Sequence, residues 1–401
     1  MALFFFVVGL EIKRAVIVGE LSRIEDALFP IIAAIGGMLL PAIIYFTVNF
    51  VTVGIIGWPV PMATDIALAI GVLSLLGSRA PISLKLFLST LAIADDIGSV
   101  IVIGLFFSAI APLIPLIVGV ILIAVLFILN RTGIHYILVF AILGIGVWLA
   151  FLLSGVHATL AGVVVAMAIP AMARVNTEDF CTKGHILLKD FEESKKPGES
   201  VLTNKTQRTA VLGMQAICRD VQAPLQRMEY FLQPWVGFII IPLFALANSG
   251  VLLAFDFSLP AAGPVALGII LGLILGKQIG IILFSWLSVR FRIAKMPKDV
   301  SWRQIHGVSC LAGMGFTMSL FMADLTFSGM LLLDVAKIAI LAASLIAGLL
   351  GFFLLGGAKM LTKFQKDILK GIQREMKSTV ESKHPITDIQ VPLEENENKN
   401  T

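Results

Sequence analysis

Asp95 and Asp96 stand side by side in an apolar stretch from Ile82 to Ile110, long and oily enough to cross a bilayer as a helix. A carboxylate at mid-bilayer costs roughly 2.5 to 3.5 kcal/mol even on the lenient insertion scale, so an adjacent pair calls for partners, water or protons. The chemistry this points to is reversible binding of a cation or a proton. A second ionisable group, Lys277, is embedded in Gly272 to Trp286, about midway through another apolar stretch. It must be neutralised by a carboxylate, lose its proton or snorkel out, and a midspan place makes snorkelling hard. Pairing with one of the aspartates is the economical solution. Successive helix residues lie about 100° apart, so Asp95 and Asp96 cannot face the same way. One can pair with Lys277 while the other faces a water-filled cavity.

Two further stretches carry polar residues where a helix should be weak. Trp58-Pro59-Val60-Pro61-Met62-Ala63-Thr64-Asp65 puts two prolines and an aspartate into apolar surroundings, and each proline removes a backbone donor and distorts the preceding turn. Gly313-Met314-Gly315-Phe316-Thr317-Met318-Ser319 places two glycines in a span, with Thr317 and Ser319 able to meet freed backbone groups. Interrupted segments in two halves of a transporter point to its binding site.

The elements that must hold these residues follow from composition. A chain of 401 residues with 58% hydrophobic and 14% charged residues, and a mean hydropathy of +0.96, is far from a soluble globular average. It reads as an all-α polytopic membrane protein. About eleven spans are expected, near 1 to 12, 27 to 49, 59 to 77, 82 to 108, 112 to 129, 134 to 153, 156 to 173, 232 to 254, 261 to 287, 304 to 323 and 335 to 357. One set of alternate connections holds the cations: Lys13, Arg14 and Arg23, then Arg79, Arg131, the stretch from Arg174 to Arg227, Arg290 to Lys298, and the tail from Lys359. The opposite set, around 50 to 58, 109 to 111, 154 to 155, 255 to 260 and 324 to 334, contains no Lys or Arg. By the positive-inside rule the first set, and with it the C-terminus, is cytoplasmic. The net charge of +4 therefore records topology and gives no sign of nucleic-acid binding.

Residues 1–357 read as the transmembrane domain, 174–233 as an enlarged cytoplasmic connection able to form short amphipathic helices, and 358–401 as a tail that is first basic, suited to anionic lipid, and then acidic. The first span holds barely ten apolar residues before Glu11, too few to cross, which is read as a sequence starting inside a helix. Cys181, Cys218 and Cys310 form no disulfide framework, the histidines show no zinc spacing, and no phosphate loop supports ATP-driven transport. No cofactor is expected.

The residues resemble the NhaA-type Na+/H+ antiporters of bacterial inner membranes. The matching words are Phe4 to Arg14, Ala63-Thr64-Asp65-Ile66-Ala67 with Gly71, Leu88 to Gly98, Ser154 to Gly162, Pro242 to Asn248, Gly276-Lys277, and Gly315 to Ser319, in family order from Phe4 to about Gly357. The resemblance implies twelve helices in which two inverted-topology repeats, here near 27–108 and 261–357, cross through two interrupted helices broken at Thr64-Asp65 and near Gly313 to Gly315. The family's first helix is missing from the eleven, and so is the extracellular hairpin that helps hold the family's homodimer, which leaves dimerisation open.

It further implies that Asp96 is the principal ligand of Na+ or Li+, with Asp95 a second ligand or proton carrier alternating with a Lys277 salt bridge. Thr64 and Asp65 would support the break; Asp65 would balance positive half-helix ends or touch the ion, and Lys277 would balance the negative ends. Proton influx would drive sodium efflux electrogenically, serving pH and sodium homeostasis. Glu11, Arg14, His157 and Glu229 match positions tied to pH response, although a lone histidine beside small residues is also an ordinary structural residue. Ala15 stands where the common pattern has a glutamate, and Tyr230 and Gln233 replace histidines, so a different pH profile is expected. Asp324 reads as interfacial. The alternatives are a carrier of another solute, such as an organic anion, in the same fold, or an inactive truncated antiporter. An intramembrane aspartyl protease would need a Gly-x-Gly-Asp word that the chain lacks.

Overall fold

The computed structural model describes residues 1–356 apart from 20, 22–23, 78–79, 108–111, 134–135, 174, 196–200, 202, 249, 251–260 and 298. The tail expected at 358–401, and the connections at 109–111 and 255–260, lie outside the described residues. What is described is helical, with no strand among those residues.

Among the described residues seven helices are long and apolar enough to cross a membrane, and counting each of two bent pairs as one span brings the number to nine. In chain order the helices are α1 (Ala2–Ile17), α2 (Ile24–Val48), α3 (Ile66–Leu75), α4 (Ile82–Phe106), α5 (Leu113–Arg131), α6 (Ile137–Ser154), α7 (Ala158–Ala168), α8 (Thr177–Glu193), α9 (Lys205–Asp220), α10 (Pro224–Trp235), α11 (Ile241–Asn248), α12 (Ala262–Leu271), α13 (Lys277–Arg290), α14 (Trp302–Ala312), α15 (Phe316–Phe327) and α16 (Leu332–Leu354). α10 and α11 join through a π turn into one span, as do α12 and α13. The other two expected spans, α1 with 16 residues and α7 with 11, are shorter than that length. α5 shows what solvent these helices are built for. Its mean hydropathy is 3.0, yet only 11% of it is buried in the protein, so its apolar face is turned outward to a medium as apolar as itself.

Both bent pairs bend by 43°. In the first, Val53–Gly57 and Val60–Met62 are short 3-10 pieces leading to the break before α3. Pro59 and Pro61 withhold two amide donors there, so no regular α-helix forms. In the second, α14 is a regular helix opened by a Ser301–Gln304 capping box; it stops at Ala312 and restarts as α15 at Phe316. Two apolar clusters meet at the breaks. Val60, Ala63 and Met318 to Ala323 belong to one, and Leu311, Ala312 and Met314 to the other.

Small residues let the surrounding helices close on the breaks. A Cβ on Gly36 of α2 would strike the Gly280 carbonyl of α13, and one on Gly280 would strike the Gly36 carbonyl, so the two backbones touch directly. Gly276 lies against Pro41, where a Cβ would sit 2.8 Å from its Cα. Two turns are π-helical, Val236–Ile240 and Gly272–Gly276, and the second ends at Lys277. Such bulges are common at functional positions.

α1 and α7 run side by side in the same direction, Gly162 against Phe6 and Gly9 against Ala166. Lys13 Nζ then donates to the carbonyls of Met167 (2.6 Å) and Ile169 (2.5 Å), a cation closing the C-terminal end of α7. Within the stretch read as a connection at 174–233, α8 and α9 pack on each other, and the next helix begins at Pro224 instead of 232. Pro224 suits a first helical position, and the polar Gln226, Arg227 and Glu229 had hidden that turn from a hydropathy reading.

Candidate functional site

Asp95 and Asp96 lie in the middle of α4, and both are buried. Lys277 opens α13, fully buried, with its Nζ 2.5 Å from Asp95 Oδ2. Two ions out of water at this depth are tolerable only as a hydrogen-bonded pair. The Thr64 hydroxyl completes the knot. It accepts from Lys277 Nζ at 2.8 Å and has one proton for two acceptors, Asp95 Oδ2 at 2.7 Å and the Ala312 carbonyl at 2.8 Å. Thr64 thus links the first break, the carboxylate pair and the C-terminal end of α14.

Asp65 faces the other way. Its Oδ1 accepts from the Leu68 amide at 3.0 Å, capping α3, while its Oδ2 accepts from the Thr317 amide at 3.1 Å and the Thr317 hydroxyl at 2.5 Å, at the start of α15. One carboxylate therefore sits at the positive ends of both half-helices, where about half a positive charge is exposed at each. At the opposite ends the direct contacts come from hydroxyls. Ser319 Oγ donates to the Val60 carbonyl at 2.9 Å and Thr64 to the Ala312 carbonyl, so hydroxyls answer the negative ends. The Lys277 ammonium bonds Asp95 and Thr64, and through the Thr64 hydroxyl it stands one hydrogen bond away from the Ala312 carbonyl. A main-chain bond from the Asp65 amide to the Met314 carbonyl, 2.7 Å, fastens one break to the other.

Asp96 is distinct from its neighbour. Its Oδ1 is buried with no hydrogen-bond partner, as is Asp95 Oδ1. Unpaired carboxylate oxygens in a protein interior are costly, so both call for a partner. Among the described residues no cluster of three or more His, Cys, Asp or Glu could hold a resident metal.

The residues expected to respond to pH are only partly brought together. Arg14 Nε pairs with Glu229 Oε1 at 3.0 Å, joining α1 to α10, and Glu11 lies one turn before Arg14. His157 is elsewhere. It precedes α7, whose Leu160 lies beside Gly104 of α4, so it stands near the Phe106 end of that helix, about 15 Å along the axis from Asp96. Asp324 pairs with Lys337 at 3.8 Å on α16. The sequence reading passed over Ser344, which accepts from the Phe316 amide at 3.0 Å at the start of α15. The signal for it was a lone hydroxyl in the apolar span from Leu332 to Leu354.

Buried carboxylates, a buried lysine and two helix breaks joined at their tips define a multi-pass membrane transporter of a small charged solute. The chain matches the family described as Na+/H+ antiporter 1 over residues 1–355, and it belongs to that family. It is 47% identical to the Na(+)/H(+) antiporter NhaA of Koribacter versatilis over 352 residues, 88% of this chain and 76% of that protein. It is 44% identical to the protein of that name from Oleidesulfovibrio alaskensis (88% of this chain, 79% of the other) and 45% identical to that of Sulfurimonas denitrificans (88% and 80%).

Proposed function

We propose that this chain exchanges Na+ or Li+ for protons by letting them compete for the Asp95–Asp96 pair, with Asp96 the principal ion ligand. The observation that carries this is the unpartnered, buried Asp96 Oδ1 beside a neighbour already held by Lys277. In one facing the deprotonated pair takes a hard cation through carboxylate oxygens; in the other, protons displace it. Asp95 leaves or regains Lys277 as the ion enters or departs, carrying a proton of its own. Exchange of more protons than cations makes the cycle electrogenic, and proton entry drives sodium out. Thr64 and Asp65 hold the breaks in register, while Glu11, Arg14 and Glu229, with His157 at the far end of α7, tune the response to pH.

The stretches 27–108 and 261–357 act as inverted-topology repeats, an assignment supported by two breaks with equal bends. The protein resides in the bacterial inner membrane with its C-terminus cytoplasmic, in contact with membrane lipid and able to form a homodimer. The test is dequenching of a ΔpH dye in everted vesicles. Na+ and Li+ evoke the signal, K+ does not, and Asp96→Asn abolishes it; a full response from the variant would reject the assignment.

A further inference from the structure

Ser99 lies one turn beyond the aspartates on α4, toward its Phe106 end, and is fully buried. At about 100° per residue it stands some 40° around the helix from Asp95 and 60° from Asp96 on the opposite side, so it projects between them. Its hydroxyl has no hydrogen-bond partner. That is unusual for this helix: Thr90, one turn before the pair and equally buried, satisfies itself on the Leu86 carbonyl at 2.8 Å. A helical serine can usually reach that carbonyl; left unsatisfied beside two carboxylates that each hold a free oxygen, the Ser99 hydroxyl is open to a ligand they could share. Three oxygens, Asp95 Oδ1, Asp96 Oδ1 and Ser99 Oγ, are thus buried and unpartnered on side chains that leave α4 within about 100° of one another. Hard alkali cations are held by oxygen ligands of this kind.

Building on the antiport reading, we infer that Ser99 Oγ is a further ligand of the transported cation and sets its selectivity. The hydroxyl supplies a neutral oxygen that completes the shell of an ion bound by the carboxylates. Li+, being smaller, fills its shell with fewer oxygens, so Na+ depends on Ser99 more than Li+ does.

The test is cation binding to the purified, detergent-solubilised full chain, with radioactive Na+ displaced by unlabelled Na+ or Li+. Ser99→Ala weakens Na+ binding roughly tenfold, the worth of one good polar contact, and Li+ binding by less. Ser99→Cys fills the same space with a soft sulfur and behaves like Ser99→Ala, whereas Ser99→Thr keeps the oxygen and binds Na+ like the wild type. Ser285→Ala, which removes another buried, unpartnered hydroxyl two turns beyond Lys277, leaves both affinities unchanged. Wild-type affinity in Ser99→Ala or Ser99→Cys, or an equal loss for both ions, would overturn the inference while leaving antiport intact. A wild-type chain that binds no Na+ would overturn both.

Discussion

The two interrupted helices bend alike but are built from opposite materials. The first break is made by Pro59 and Pro61 and is rich in side chains: Thr64 and Asp65 reach out from it to α3, α4, α13, α14 and α15. The second is made by Gly313 and Gly315 and offers no charge, only the carbonyls of Ala312 and Met314 and the hydroxyls of Thr317 and Ser319. Its restarting helix has Gly315 at the N-cap and no capping side chain of its own, so it borrows Asp65 across the interface. One break supplies the charge and the other the room. A Cβ at Gly313 would run into the Leu273 carbonyl, and one at Gly315 into Ser319. The lesson is that a pair of breaks needs only one carboxylate if the other can come close enough to share it.

The largest expected effect of breaking this arrangement is at Lys277. Lys277→Met leaves Asp95 buried without its partner, a loss of about 3 to 5 kcal/mol by the measure of other broken buried pairs. Adding Asp95→Asn recovers most of it, which thermal unfolding in detergent would show as strong non-additivity. Next is Asp65→Ala, which strands the Leu68 amide and the Thr317 amide and hydroxyl at once and costs about 3 kcal/mol. A loss confined to α3, with protection of the α15 amides unchanged in hydrogen exchange, would refute the sharing. Smaller effects separate the two breaks by material: Gly313→Ala costs about 1 to 3 kcal/mol by crowding, whereas Pro61→Ala costs less than about 1 kcal/mol because the first break is held by side chains. Equal costs in the same melting experiment would erase the contrast.

How much of this was legible in the sequence follows the same division. Charged residues in apolar runs announce themselves by their insertion cost, so Asp95, Asp96 and Lys277 were found, and so was the pairing of Lys277 with one aspartate. Prolines and glycines marked the two weak stretches, and the family resemblance placed a break within each. What could not be read was which group answers which helix end. The Asp65–Thr317 contact spans 252 residues, and nothing local to Thr317 names its acceptor. Nor could the sequence name the hydroxyls that bond the carbonyls at the negative ends, Thr64 at Ala312 and Ser319 at Val60. The early start of the helix at Pro224 was lost because a helix turn carrying Arg227 and Glu229 has the hydropathy of a loop. Ser99 passed unnoticed because one serine in an apolar span usually bonds its own backbone.

If cation and proton occupy one site, Na+ binding to the protonated pair must expel protons. Calorimetry of Na+ binding to the purified protein, in two buffers of different ionisation enthalpy, counts the protons expelled. The wild type releases protons at a pH where the pair is protonated, and Asp96→Asn binds no Na+. Na+ binding with the same heat in both buffers, and so no proton release, would contradict a shared site.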